Sequence, residues 1–170
     1  MFEAALLTLV GAAAIAGAAY DLTTFTIPNW ISLGLLALFP VLALAAGLSL
    51  SDAGIHFAIG AAALAAGIAL FAGGVVGGGD AKLFAALALY MGVQSIGPYV
   101  FAVALAGGAL AIALLTLRWL PISILLSRLP WVHRLSAPGV GVPYGVAIAA
   151  GGLIAFPATQ IFALAAVAGH

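Results

Sequence analysis

Long uninterrupted apolar runs, separated by short clusters of polar residues, glycine and proline, organise this chain. Breaks of that kind predict six helices. The first covers about residues 3–20 and ends at Asp21-Leu22-Thr23-Thr24-Phe25-Thr26-Ile27-Pro28-Asn29. The second covers about 30–48, with Pro40 a kink point. Ser49 to Asp52 forms a tight polar turn in which Asp52 caps a third helix reaching about residue 72. The run from Gly73 to Asp80 is too rich in glycine to stay helical. A short fourth helix follows at about 81–93, a turn at 94–98, a fifth helix at about 99–119, and a loop at 120–141 holding Pro121, Pro130 and Pro138. A sixth helix, about 142–167, carries Pro157 as a second kink point.

Composition changes the solvent in which these helices must be imagined. Hydrophobic residues make up 66% of the 170, and Asp, Glu, Lys and Arg only 5%, against roughly 25% in soluble domains. A spanning helix needs about 20 apolar residues, and runs of that order fill most of the chain. A transmembrane barrel is excluded by pattern, because its strands alternate apolar and polar residues. The expected fold is all-α: a polytopic membrane protein of about six transmembrane helices, forming a single integral-membrane domain over residues 1–170. Its first partner is the lipid bilayer. The first helix reads as retained and not as a cleaved signal peptide, because Glu3 is the only early charge and no positive n-region precedes the apolar run. Gly54, Gly60, Gly67, Gly107 and Gly108 read as sites of close helix packing.

Charge then orients the chain. Alternation of six spans puts the loops around Asp21, around Asp80 and at 120–141 on one side, and both termini with the turns at 49–52 and 94–98 on the other. All four basic residues, Lys82, Arg118, Arg128 and Arg134, fall in or beside the first set. The positive-inside rule makes that side cytoplasmic, and it carries Asp21 and Asp80 with it. With no cysteine there is neither a disulfide nor a thiolate site, and His56, His133 and His170 are too far apart for metal-ligand spacing. No metal and no cofactor are expected, and no basic block points to nucleic acid.

The candidate chemistry rests on the two aspartates. Carboxylates are costly inside a bilayer and ordinarily face partners or water. Asp80 has an ordinary explanation as an N-terminal helix cap, whereas Asp21 follows a helix C-terminus, where the macrodipole disfavours it. Two carboxyls converging on one water supply a base for its proton and an acid for the carbonyl oxygen or leaving amine, sharing one proton between them. Gly77 and Gly79, without Cβ, would admit a substrate backbone and positive φ. A proton- or cation-coupled transporter using the same aspartates is the alternative from the residues alone.

Tyr20-Asp21 followed by Ile27-Pro28-Asn29, then Gly77-Gly78-Gly79-Asp80-Ala81-Lys82-Leu83, resembles the type IV prepilin peptidase family, with its first Asp shortly before Ile-Pro-Asn and its second in Gly-x-Gly-Asp-x-Lys. The late Val142-Pro143-Tyr144-Gly145-Val146-Ala147 resembles that family's Pro-Tyr-Gly segment. The resemblance implies a membrane-embedded aspartic endopeptidase in the cytoplasmic membrane. It would have Asp21 and Asp80 as the catalytic pair and a prepilin or pilin-like protein, with a leader and a hydrophobic helix, as substrate. Many members carry a cysteine-bearing region linked to N-methylation; its absence between the first two helices resembles the short, peptidase-only branch of tight-adherence (Flp-type) pili, with archaeal preflagellin peptidases sharing the dyad. The loop Leu22-Thr23-Thr24-Phe25-Thr26 departs from relatives that have basic residues there.

Supporting residues have two readings each. Lys82 acts on a nearby carboxylate or on substrate, or anchors by snorkelling to headgroups. Asn29 hydrogen-bonds near Asp21 or caps the second helix. Tyr144 reaches the site or belongs to the interfacial aromatic belt. Trp119, Arg128, Trp131, His133 and Arg134 read as an amphipathic stretch on the inner surface. The presenilin-like group shares Tyr-Asp and Gly-x-Gly-Asp segments, but its Pro-Ala-Leu segment is absent here. A midplane carrier site fits poorly with two aspartates at one edge.

Overall fold

The computed structural model describes residues 1–119, Leu135 and residues 140–168. The described residues are helical apart from short connections: α1 (Phe2–Thr24), α2 (Asn29–Ala45), α3 (Leu50–Ala72), α4 (Gly78–Trp119), α5 (Tyr144–Ala155), a 3₁₀ turn (Phe156–Ala158) and α6 (Gln160–Ala168). Among them α1, α3 and α4 are each long and apolar enough to cross a membrane, and α5 with α6 makes a fourth candidate if that pair, bent by 56°, counts as one span. Helix α2, with 17 residues, is apolar but shorter. The surface stretch expected around Arg128, Trp131, His133 and Arg134 lies outside the described residues, as do the side chain of Trp119 and His170.

Several helix ends differ from the sequence expectation, each for a local reason. Helix α1 runs past Tyr20 to Thr24, so Asp21 lies in its last turn and not after it. The Thr23 and Thr24 hydroxyls donate to the Ala19 and Tyr20 carbonyls at 2.7 Å each, supplying partners for carbonyls at the helix end. The helix stops at Phe25, in the left-handed region at φ 53°, whose N–H donates to the Asp21 carbonyl at 2.8 Å. Helices α2 and α3 both end in six-to-one turns around a left-handed glycine, Gly47 and Gly74, with Leu48 N–H on the Ala43 carbonyl and Val75 N–H on the Leu70 carbonyl, each at 2.9 Å. The cap of α3 is Ser49, not Asp52. The Ser49 hydroxyl accepts from the Asp52 N–H at 3.0 Å and donates to the Asp52 carboxylate at 2.8 Å.

Helix α4 holds the largest departure. It begins at Gly78, so two of the glycines expected to be irregular are helical, and residues 94–98 are helical instead of forming the turn. The break comes earlier, at Gly92, with φ 64° and ψ −178°. Phe84 and Tyr99 are 15 residues apart, a separation of about 22 Å along a straight helix. Yet their rings stack at 5.0 Å and the Tyr99 hydroxyl donates to the Phe84 carbonyl at 3.2 Å. The two arms of α4 therefore fold back on one another at Gly92. His56 of α3 sits at this break. The Leu89 carbonyl can only accept, so His56 Nδ1 carries the proton and donates to it at 2.7 Å, where the helical ladder is interrupted.

Packing gathers the other helices around the first arm of α4. Gly67 meets Ala81, and Gly60 meets Leu89, so closely that a Cβ would lie 2.9 Å and 3.3 Å from those side chains. Gly151 and Gly152 of α5 lie against Val103 and Leu87, and Gly17 of α1 against Leu83. Gly107 packs against Tyr144, while Gly54 and Gly108 face no neighbour among the described residues, so only part of the glycine set serves packing. Deeper in, Phe39 meets Tyr90, His56 and Phe57 at 5.2–5.4 Å between ring centroids, and Tyr90 donates its hydroxyl to the Leu35 carbonyl at 2.6 Å.

Candidate active site

Helix ends deliver the two aspartates to one place. Asp21 is buried, 5% exposed, in the last turn of α1; Asp80 is half-buried in the first turn of α4. The Asp21 carboxylate lies near enough for its charge to act on the Asp80 carboxyl. A third element completes the cluster. At the start of α5 the Gly145 N–H, one of the amides a helix leaves unpaired in its first turn, donates to Asp21 Oδ2 at 2.7 Å. The same amide and that of Gly77 face the Asp80 carboxyl, whose Oδ1 is buried without a hydrogen-bond partner among the described residues.

Glycine and one isoleucine make this convergence sterically possible. A Cβ on Gly145 would lie 2.8 Å from Asp21 Cβ and 2.9 Å from Ile27 Cδ1. One on Gly79 would lie 3.1 Å from Ile27 Cβ, and one on Gly77 would lie 2.8 Å from Asp80 Oδ2. Ile27, buried in the α1–α2 connection, is thus wedged between the glycine that precedes Asp80 and the glycine that holds Asp21. Gly77 and Gly79 do not adopt positive φ; in the glycine run only Gly74 does. Their lack of a Cβ serves contact within the protein, not the backbone freedom expected of them.

The remaining candidates fall elsewhere. Lys82 Nζ donates to Asn29 Oδ1 at 2.9 Å, joining α4 to α2. Lys82 forms no ion pair with either aspartate; the one ion pair among the described residues is that of the N-terminal amine with Glu3. Asn29 neither bonds Asp21 nor caps α2, whose N-cap is Pro28 without a side-chain bond. Tyr144 is 39% exposed and its ring lies against Gly107, while the backbone of its neighbour Gly145 enters the site. Gly145 and Ile27 are the residues that reading by side-chain chemistry passes over, since neither carries a functional group. The signals available were their places in the Pro-Tyr-Gly and Ile-Pro-Asn segments. No group of three or more His, Cys, Asp or Glu able to hold a metal occurs among the described residues.

A pair of neighbouring carboxyls, one oriented by a backbone amide and one with a buried unsatisfied oxygen, can hold a water and move protons to and from it. A comparison with protein families matches residues 8–112 to the type IV leader peptidase family. Comparisons with curated proteins and with solved structures give no match. The matched residues hold both aspartates, the Ile-Pro-Asn segment and the glycine run, and they span more than half of the chain: it belongs to the type IV leader peptidase family of aspartic prepilin peptidases.

Proposed function

We propose that this chain cleaves the leader from a prepilin or pilin-like protein at the cytoplasmic face of the membrane, with Asp21 and Asp80 as the catalytic pair. The carrying observation is the meeting of the two carboxyls around the Gly145 amide, in a chain whose family membership implies leader cleavage. Asp21, held through one oxygen by Gly145, takes a proton from a water. The resulting hydroxide adds to the scissile carbonyl carbon while protonated Asp80 donates to the carbonyl oxygen. Proton return to the amide nitrogen then lets the C–N bond break, leaving a leader carboxylate and a new N-terminal amine.

Six membrane passes fit this reading. Helix α4 has 42 residues and folds back at Gly92 into arms of about 21 Å and 40 Å, which we read as two passes, the first shorter than the ~30 Å hydrocarbon thickness. The α1–α2 connection is only four residues, 25–28, which favours the peptidase-only branch, of the Flp-pilus kind, as a single domain without an N-methylation region. Gly77 and Gly79 support the pair by packing, and Lys82 with Asn29 ties α4 to α2 beside it.

Co-expression with a prepilin, followed by the shift in substrate size, tests the mechanism. Asp21→Asn and Asp80→Asn should each lower the cleavage rate by about 10²–10⁴-fold, the usual worth of a general acid or base, with membrane insertion unchanged. Normal processing by either variant would sink the dyad. Proton flux in liposomes abolished by both substitutions, without any cleavage by the parent, would favour transport instead.

A further inference from the structure

Polar side chains are rare in this chain, yet four of them line one cavity of about 180 Å³ at the end of the first arm of α4 away from Asp80. Asp52 and His56 come from the first two turns of α3, Gln94 follows the break at Gly92, and Gln160 opens α6. His56 lies deepest, 1% exposed, whereas Asp52 is half-buried and both glutamines are exposed. Gly92 is about 18 Å along the helix from Asp80, so the cavity is separate from the candidate active site.

The deepest group presents a lone pair. With Nδ1 donating to the Leu89 carbonyl at 2.7 Å, Nε2 of the neutral ring is an acceptor, and it is buried without a hydrogen-bond partner among the described residues. A Cβ on Gly92 would lie 2.9 Å from Nε2, so glycine at the break keeps a side chain off that nitrogen. Asp52 stands one turn away at i, i+4, with about 5–6 Å between the two Cβ atoms. Ser49 and Gln160 donate to its Oδ2 at 2.8 Å and 3.3 Å, which leaves Oδ1 for another partner. Metal-ligating histidines ordinarily donate their other N–H to a carbonyl or carboxylate, and metal-ligating carboxylates are themselves hydrogen-bonded. Both supports are in place here.

We propose that His56 Nε2 and Asp52 Oδ1 bind a divalent transition-metal ion of the zinc class, with Gln94 and Gln160 carboxamide oxygens or water completing the coordination. Imidazole nitrogen suits such ions, whereas Mg²⁺ and Ca²⁺ take oxygen ligands. Among the described residues one carboxylate and no basic group line the cavity, which disfavours an anion. Its volume is below the roughly 300–1,000 Å³ of pockets for organic ligands. Spacing between histidines does not reveal the pair, because its second member is an aspartate. The ion ties the first turns of α3 to the fold-back of α4 and the start of α6, and it does so independently of the proposed peptidase function.

In the full chain carrying His133→Gln and His170→Gln, without a polyhistidine tag, His56 is the sole imidazole. Purified in detergent and stripped by a chelator, this protein should take up one Zn²⁺ per chain, and a large excess of Mg²⁺ should not displace it. Asp52→Asn and His56→Asn should each weaken zinc binding by about tenfold or more, and Asp80→Asn should leave it unchanged. The amide in His56→Asn can still donate to the Leu89 carbonyl; if that variant does not fold, Asp52→Asn and the copper spectrum decide. Cu²⁺ in place of zinc should show coupling to an imidazole nitrogen in its electron paramagnetic resonance spectrum. No metal uptake, displacement by Mg²⁺, affinity untouched by the Asp52 and His56 substitutions, loss with Asp80→Asn, or copper without imidazole coupling would each overturn the proposal.

Discussion

Gly145 shows how much of the site rests on an atom that is missing. Its amide orients Asp21 at 2.7 Å, and a Cβ there would press on both Asp21 and Ile27. Gly145→Ala should therefore leave the protein in the membrane but shift Asp21, with a loss of about 10²-fold in prepilin cleavage, the scale of a misplacement near 1 Å. Gly54→Ala is the comparison, since that position, inside α3, faces no neighbour among the described residues. Unchanged cleavage by Gly145→Ala would mean that the amide contact does not govern the position of Asp21. The aspartates were legible in the sequence because a charge in an apolar run is conspicuous. Gly145 was not, because its contribution is a backbone donor and a space, and neither has a side-chain signature.

At the scale of elements, the break in α4 is the feature that composition hides. A glycine near a polar cluster predicts a turn, and the cluster Gln94 to Pro98 drew that prediction; the chain turns instead at Gly92, where positive φ suits glycine and where a Cβ would meet His56 Nε2 at 2.9 Å. Gly92→Ala should lower stability by about 1–2 kcal/mol from left-handed backbone strain alone, with the His56 contact adding to it. Gly54→Ala should raise it by up to about 1 kcal/mol through helix propensity. Apparent Tm values in detergent should move in opposite directions, and a shared direction would argue against strain at the break. His56→Ala removes the donor to a buried carbonyl and should cost about 1–3 kcal/mol, seen as a lower Tm without a direct effect on cleavage, since the proposed catalytic pair lies at the opposite end of the α4 first arm.

For the whole molecule, orientation is the property to measure. The six-pass reading puts the α1–α2 connection and the glycine run on the cytoplasmic side and the Ser49 to Asp52 turn on the other. Single cysteines at Thr26, Val75 and Ser51 can be labelled with an impermeant maleimide in intact cells and in inverted vesicles. Ser51→Cys should label in cells, and Thr26→Cys and Val75→Cys in inverted vesicles. Labelling of Ser51 and Thr26 from the same side would break the topology and separate the aspartates from the positive-inside assignment.

The sequence by itself determined the solvent, the class and the chemistry: a 5% charge content forces apolar helices, and two aspartates with Ile-Pro-Asn and Pro-Tyr-Gly segments carry the family resemblance. Those features are local or compositional, so no contact has to be known to read them. Tertiary structure decided where α4 folds back, that Lys82 takes Asn29 and not a carboxylate, and that Gly145 and Ile27 close the site. Each of those outcomes depends on which helices approach to within a hydrogen bond or a van der Waals contact. In chains whose helices are apolar on every side, hydrophobic periodicity does not mark the face that meets a neighbour; the small residues and rare polar groups do so only once the helices are packed.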